Sequence, residues 1–273
     1  MTEMLEIAKA AIGKCTESEI RALRTYVQKL APHELENKWG VSADVILDAI
    51  EKSSDLTKRG FRGILAESIF ETDIVPVLPG GWAAKEINRN EDLPYDSLLI
   101  RGEQTVRVQV KLQRSVKGEP MLFHPKHYDK GSLFVVEVQK TRTGSATLKA
   151  PLPDSDLKIK VTKSTVEDTR PYRFGQFDIL AVNMHPSTND WTSFRYTLGA
   201  WLLARPEDPT KIAILQPVSK DINDVWTDDL ETCLEWLQKG ETKRVLGELK
   251  HVAARPARKP KRKGKPKQKK LSL

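Results

Sequence analysis

Asp96, Gln109 and Lys111 offer a carboxylate, an amide and an ammonium within one short stretch of chain. From Thr105 onward the residues alternate. Val106, Val108, Val110 and Leu112 point one way, and Arg107, Gln109, Lys111 and Gln113 point the other. Just before, Leu98 to Ile100 is an apolar run ending at Arg101-Gly102-Glu103-Gln104, where the glycine makes a reversal cheap. Residues 94–113 are therefore expected to form two short strands joined by a tight turn, with Asp96 brought alongside the second. Residues two apart on a strand share a face, so the Gln109 carbonyl oxygen and the Lys111 ammonium can converge on one phosphate. Phosphodiester hydrolysis needs a divalent cation held by oxygens. Mg²⁺ is usually anchored by one or two carboxylates with substrate phosphate and water. The lysine would orient or help deprotonate the attacking water and offset charge developing on phosphorus.

The flanking elements bear on that chemistry. Residues 64–70 read as a helix with Ile64, Leu65, Ser68 and Ile69 inward, and Glu67 on it precedes the hairpin. The preceding Lys58-Arg59-Gly60-Phe61-Arg62-Gly63 sets Arg59 and Arg62 as candidate phosphate contacts. Leu133 to Gln139 reads as a strand, with Glu137 and Gln139 on one face. If it pairs with the 105–113 strand, the two polar rows line a cleft. Arg170-Pro171-Tyr172-Arg173 leads into Phe177-Asp178-Ile179-Leu180-Ala181-Val182, a near-continuous apolar run expected to be a buried strand. Arg170, Tyr172 and Arg173 are candidate DNA-backbone contacts, as are Gln113, Arg114 and Arg142; Asp178 reads as structural.

An acid, a hairpin, then Gln-x-Lys resembles the PD-(D/E)XK nuclease superfamily, here as Pro94-Tyr95-Asp96 followed by Gln109-Val110-Lys111. The later Tyr-x-x-Gly-x-Phe-Asp-x-x-Ala-Val segment is similar to the one that follows the catalytic lysine in several branches, including restriction enzymes and homing nucleases. The resemblance implies an α/β fold, a mixed β-sheet core flanked by helices. It also implies Asp96, Gln109, Lys111 and Glu67 as catalytic residues, with Asp96, Glu67 and Gln109 holding Mg²⁺. An ordinary surface glutamate fits Glu67 equally. The implied activity is hydrolysis of double-stranded DNA, restriction-like and sequence-specific, by a homodimer. Homing and repair nucleases of the same superfamily stay open, as does a non-catalytic DNA-binding protein on a degenerate fold, because glutamine replaces the usual acid. An RNA-processing or RNA-binding factor is a further alternative, carried by the basic tail.

The whole chain of 273 residues carries a formal charge of +8, but the average misleads. Residues 251–273 hold ten Lys/Arg and no acid, which leaves the rest near neutral. That tail is low-complexity, is expected to be disordered, and should bind nucleic acid nonspecifically through counterion release. No apolar run suits a membrane span, and the acidic start is unlike a secretory signal. Two scattered cysteines build neither a disulfide framework nor a zinc site, so a cytoplasmic setting is expected. His124 and His127, three apart on a polar stretch without a third ligand, read as surface or groove residues.

The expected organisation is an N-terminal helical region over 1–57, a nuclease-like core over 58–245, and the tail over 246–273. Apolar stripes at helical spacing mark 2–30, with Thr16 and Glu19 spaced as a capping box. Residues 33–51 resemble a helix-turn-helix with Gly40 at the turn, Ser42 as cap, and Leu35, Val45 and Ile50 internal. Asp44, Asp48 and Glu51 would face phosphates without any Arg or Lys among them, which favours an ordinary helical hairpin. A strand followed by a packed element is expected over 191–204, a last strand over 212–217, and a helix over 223–238.

Overall fold

The computed structural model describes residues 2–88, 91, 93–123, 133–139 and 171–246. Two compact units divide the chain, Met1–Arg62 and the remainder from Gly63. The boundary falls inside a helix.

The first unit is helical: α1 (Glu3–Ile12), α2 (Glu17–Leu30), α3 (Glu34–Trp39), α4 (Ala43–Lys52) and the start of α5 (Asp55–Ile69). Its local signals act as the residue types dictate. Thr16 and Glu19 form a reciprocal capping box that satisfies the free N–H groups at the start of α2. Gly40 ends α3 at φ 67°, a left-handed conformation that glycine adopts without a Cβ penalty. Ser42 caps α4. A second box, unforeseen in the sequence, is made by His33 with Glu36. None of α1 to α4 buries a residue. Leu35 and Val45, expected to be internal, are exposed.

Helix α5 corrects the expected layout. It begins at Asp55, well ahead of the expected start at residue 64, so Arg59 and Arg62 lie exposed on the helix itself. Its buried side is also rotated. Ala66, with Phe70 just beyond, packs into the core, whereas Ile64 and Leu65 are exposed.

The second unit is built on a five-stranded sheet in the order β1-β2-β3-β7-β8. Its strands are β1 (Ala83–Lys85), β2 (Ser97–Arg101), β3 (Gln104–Leu112), β7 (Ile179–Asn183) and β8 (Phe194–Leu198). Strands β2 and β3 make the expected hairpin, turning at Gly102 with φ 58°. Strands β3 and β7 run parallel, and the other pairs are antiparallel, so the sheet is mixed. Every residue of β7 is buried, which accounts for its unbroken apolar run. After β3 come the short hairpin β4 (Ser115–Val116) and β5 (Glu119–Pro120), then β6 (Leu133–Glu137). β6 pairs with β11 (Leu215–Ser219) rather than along β3; β3's continuation meets it at the Gln113–Val136 bridge and through Arg114 N–H, which donates to the Val135 carbonyl at 2.8 Å.

A short α6 (His185–Thr188) links β7 to β8, and β9 (Ala204–Arg205) with β10 (Asp208–Ile212) forms a hairpin. Helix α7 (Leu230–Gln238) starts later than the sequence pattern suggests. Asp229 caps it, while Thr227 just upstream is paired to the backbone of Tyr196. Gly199 marks one close approach: a Cβ there would meet the Phe177 carbonyl oxygen at 2.7 Å. Trp201, Trp226 and Tyr196 are fully buried, as core rather than as stacking platforms. No helix among the described residues is long and apolar enough to cross a membrane.

Candidate active site

The β2–β3 hairpin fixes Asp96 through the backbone before any side chain is considered. Asp96, one residue before the start of β2, donates its N–H to the Val108 carbonyl at 3.0 Å. Val110 N–H donates back to Asp96 Oδ2 at 3.0 Å. The carboxylate thus takes a place in the ladder and is held rigidly at the C-terminal end of β3. Two β3 side chains converge on the same oxygen: the Gln109 amide nitrogen donates to it, and Lys111 Nζ lies 3.3 Å away. Spacing two apart on one strand face produces this meeting.

The three groups differ in exposure. Gln109 is wholly buried, while the Asp96 and Lys111 side chains keep 21% and 20% of their surface, enough for a substrate atom to reach them. Gln109 Oε1 finds no hydrogen-bond partner among the described residues. Lys111 is held as an ammonium above the ordinary lysine range. Burial works against its charge, but Asp96, then Tyr172 and Glu67, outweigh that cost. Glu67 on α5 therefore adds its charge to the field at Lys111. Tyr172, which the sequence suggested as a backbone contact, is buried. Its ring centroid lies 6.0 Å from Lys111 Nζ and 5.4 Å, edge-on, from the Phe177 ring.

Strand β7 braces this arrangement from the other side. Gln109 is in register with Leu180, and Lys111 with Val182. Asp178 clamps the entry to that pairing. Its Oδ2 accepts from Arg107 N–H at 2.8 Å and Nε at 3.0 Å, and its Oδ1 accepts from Nη2 at 2.7 Å. This bidentate bond across the parallel strands is structural work.

The remaining candidates are scattered. Gln113 is corrected outright: it is 1% exposed, and neither amide atom has a partner among the described residues, so it does not face solvent or DNA. Strand β3 runs on into contact with β6, and that covers it. Arg114 is half-buried and bonded to Glu137, whose other oxygen accepts from Gln139, so its guanidinium is already engaged. Arg173 is exposed, with Nη1 3.2 Å from Thr210 Oγ1. Arg59 and Arg62 are exposed on α5. Arg142, Arg170, His124, His127 and the basic tail lie outside the described residues.

The donor set can be tested for a cation. Among the described residues no three His, Cys, Asp or Glu side chains gather into a metal cluster. Mg²⁺ does not require one, because it keeps several waters and takes substrate phosphate as a ligand. Asp96 and Glu67 offer carboxylate oxygens of the hard kind Mg²⁺ prefers, and Glu67 is close enough for its charge to act on Lys111. The two carboxylates fit; Gln109 Oε1 is buried, and the Gln109 amide turns its nitrogen toward Asp96. Compared with known proteins, the chain matches no family model, no curated protein and no solved structure. The contributions that sequence reasoning missed are the Val110 N–H and the closeness of Tyr172 to Lys111. A backbone donor leaves no signature in residue types, and Tyr172 stands far from Lys111 in the chain.

Proposed function

We propose that this chain is a Mg²⁺-dependent endonuclease that hydrolyses phosphodiester bonds of double-stranded DNA at defined sequences. Its core would be PD-(D/E)XK-like, of the Gln-x-Lys type. The observation that carries the proposal is the convergence of Gln109 and Lys111 on a single oxygen of Asp96 at the end of a hairpin. The buried parallel strand beside it, built from the segment with the second family resemblance, adds support. So does the charge of Glu67 at Lys111.

In this scheme Asp96 and Glu67 would hold the ion, and Gln109 would supply a neutral oxygen once its amide turns to set Oε1 in place of Nε2 toward Asp96. Bound Mg²⁺ would polarise a phosphoryl oxygen and acidify a coordinated water. Lys111, held as an ammonium, is a poor proton acceptor. It orients the water and offsets the negative charge that builds on the phosphoryl oxygens. The water oxygen bonds to phosphorus as the ester P–O bond breaks; the proton the water sheds passes to bulk solvent, and the leaving oxygen takes one from solvent to depart as a hydroxyl.

A non-catalytic DNA-binding protein is the second reading. One observation favours it: Asp96 Oδ2 is already occupied by three donors of its own chain. Incubation of mixed-sequence plasmid with the protein and Mg²⁺ separates the two. Discrete fragments, lost in both Lys111→Ala and Asp96→Ala, are the expected result. Intact plasmid that still shifts on a gel would overturn the enzyme and leave the binding module.

A further inference from the structure

The helices of the N-terminal unit leave much of their apolar surface exposed. Of the twenty-one exposed large hydrophobic side chains among the described residues, fifteen lie in residues 2–62. Short helices in water draw most of their stability from burying an apolar stripe, and α1 to α4 bury none. We propose that this unit is a self-association surface, and that the face of α2 carrying Ile20, Leu23, Val27 and Leu30 packs against the same face of a second copy of this chain.

Three observations select a second copy as the occupant. The first is the pattern. Ile20, Leu23, Val27 and Leu30 follow the alternating three-and-four spacing of a coiled-coil seam, whose natural partner is another such seam. Ile20, Val27 and Leu30 are 43%, 50% and 67% exposed, so the seam is open. Glu19 and Arg24 flank it with opposite charges, which lets two copies meet without like-charge repulsion.

The second is charge. Residues 2–62 hold ten acids and ten bases, so an apolar, electrically balanced face has little to offer a nucleic acid.

The third is area. A fully exposed large apolar side chain carries on the order of 100 Å². At their observed exposures, Ile20, Val27 and Leu30 present roughly 160 Å² on the proposed face. A standard interface takes about 800 Å² from each partner, somewhat over half of it apolar, so the α2 seam forms the centre of the contact and the other exposed apolar side chains of this unit supply the rest. The remaining six exposed large hydrophobics, all beyond Arg62, include only the neighbours Ile64 and Leu65 side by side. No matching apolar face is therefore described on the rest of the chain. The inference stands apart from the nuclease proposal, since a chain without activity would associate in the same way.

Light scattering coupled to size exclusion, on the full chain without DNA or divalent ions, tests it. The expected mass at tens of micromolar is about twice the 30.9 kDa of one chain. The double variant Ile20→Lys, Val27→Lys should run as a monomer with unchanged helical circular dichroism, its self-affinity weakened at least about tenfold. Val116→Lys, an exposed apolar site elsewhere, should leave the dimer intact. As a second measurement, Val27→Cys in a Cys15→Ser background should give a disulfide-linked dimer on mild oxidation. A wild-type monomer at 100 µM overturns the proposal, as does a dimer that survives the double variant. A monomer whose α2 amides are protected from exchange by its own chain overturns it too.

Discussion

Lys111 Nζ lies 3.3 Å from Asp96 Oδ2, and the two are joined only because a hairpin folds the start of β2 onto the end of β3. The pair is partly open to solvent and partly buried, which is where a charge can both persist and act on a ligand.

Replacing this lysine removes a cation aimed at developing negative charge. Lys111→Ala is expected to lower the cleavage rate by about 10²–10³. Because Lys111 is held above its ordinary 10.5, it stays protonated across the working range. The rate of the wild-type protein should accordingly show no fall from lysine deprotonation between about pH 7 and 9. A pH–rate profile that drops there with a single ionisation, and loses that drop in Lys111→Arg, would contradict this role.

Asp178 should matter for stability. Its carboxylate accepts from Arg107 N–H and from Nε and Nη2 of the guanidinium across the parallel strands. Asp178→Ala leaves those donors without their acceptor and is expected to cost about 2 kcal/mol, a figure already reduced for partial exposure. Asp178→Asn should recover part of it. Denaturant unfolding measures both, and a loss under about 0.5 kcal/mol in Asp178→Ala would show the clamp to be idle.

Gln113 is expected to behave in the opposite way to a DNA contact. Its buried amide has no partner among the described residues, so it carries a desolvation cost without a bond to offset it. Gln113→Met should be neutral or stabilising by about 1 kcal/mol, with DNA affinity unchanged. Thermal unfolding and a gel-shift titration report the two halves of that statement.

Much of the site was legible because it is local. Asp96, the Gly102 turn and the alternation through Lys111 all lie in one hairpin, and hairpin geometry follows from residue types. The capping box of Thr16 and Glu19 and the buried run of β7 were readable for the same reason. What failed was decided by partners distant in sequence. Gln113 looks like an exposed strand residue until β6 arrives to cover it, and β6 finds β11 rather than β3. The inward face of α5 turns on Ala66 and Phe70, small and large, where the sequence offered Ile64 and Leu65 as more obvious anchors. The helix read over 64–70 starts instead at Asp55 and runs through Gly60 and Gly63.

The cap of α7 gives a pH-dependent stability. Burial raises the Asp229 carboxyl, but bonds from the Thr232 hydroxyl and from the N–H groups of Thr232 and Glu231 outweigh it and hold the group below its ordinary 3.8. A depressed folded value means the contribution is fully present above the ordinary value and fades as pH falls through the folded one. Asp229→Ala should cost about 1 kcal/mol near pH 7. Its difference from wild type should shrink below about pH 4, as urea titrations at several pH values would show.

The most direct test of the central claim is the initial rate of supercoiled plasmid cleavage across a Mg²⁺ titration, for wild type and Asp96→Ala side by side. The expected result is saturable, Mg²⁺-dependent cleavage by wild type, abolished by chelation and absent from a folded Asp96→Ala. Equal rates in the two proteins, or no cleavage at any Mg²⁺ concentration on plasmids of varied sequence, would contradict it.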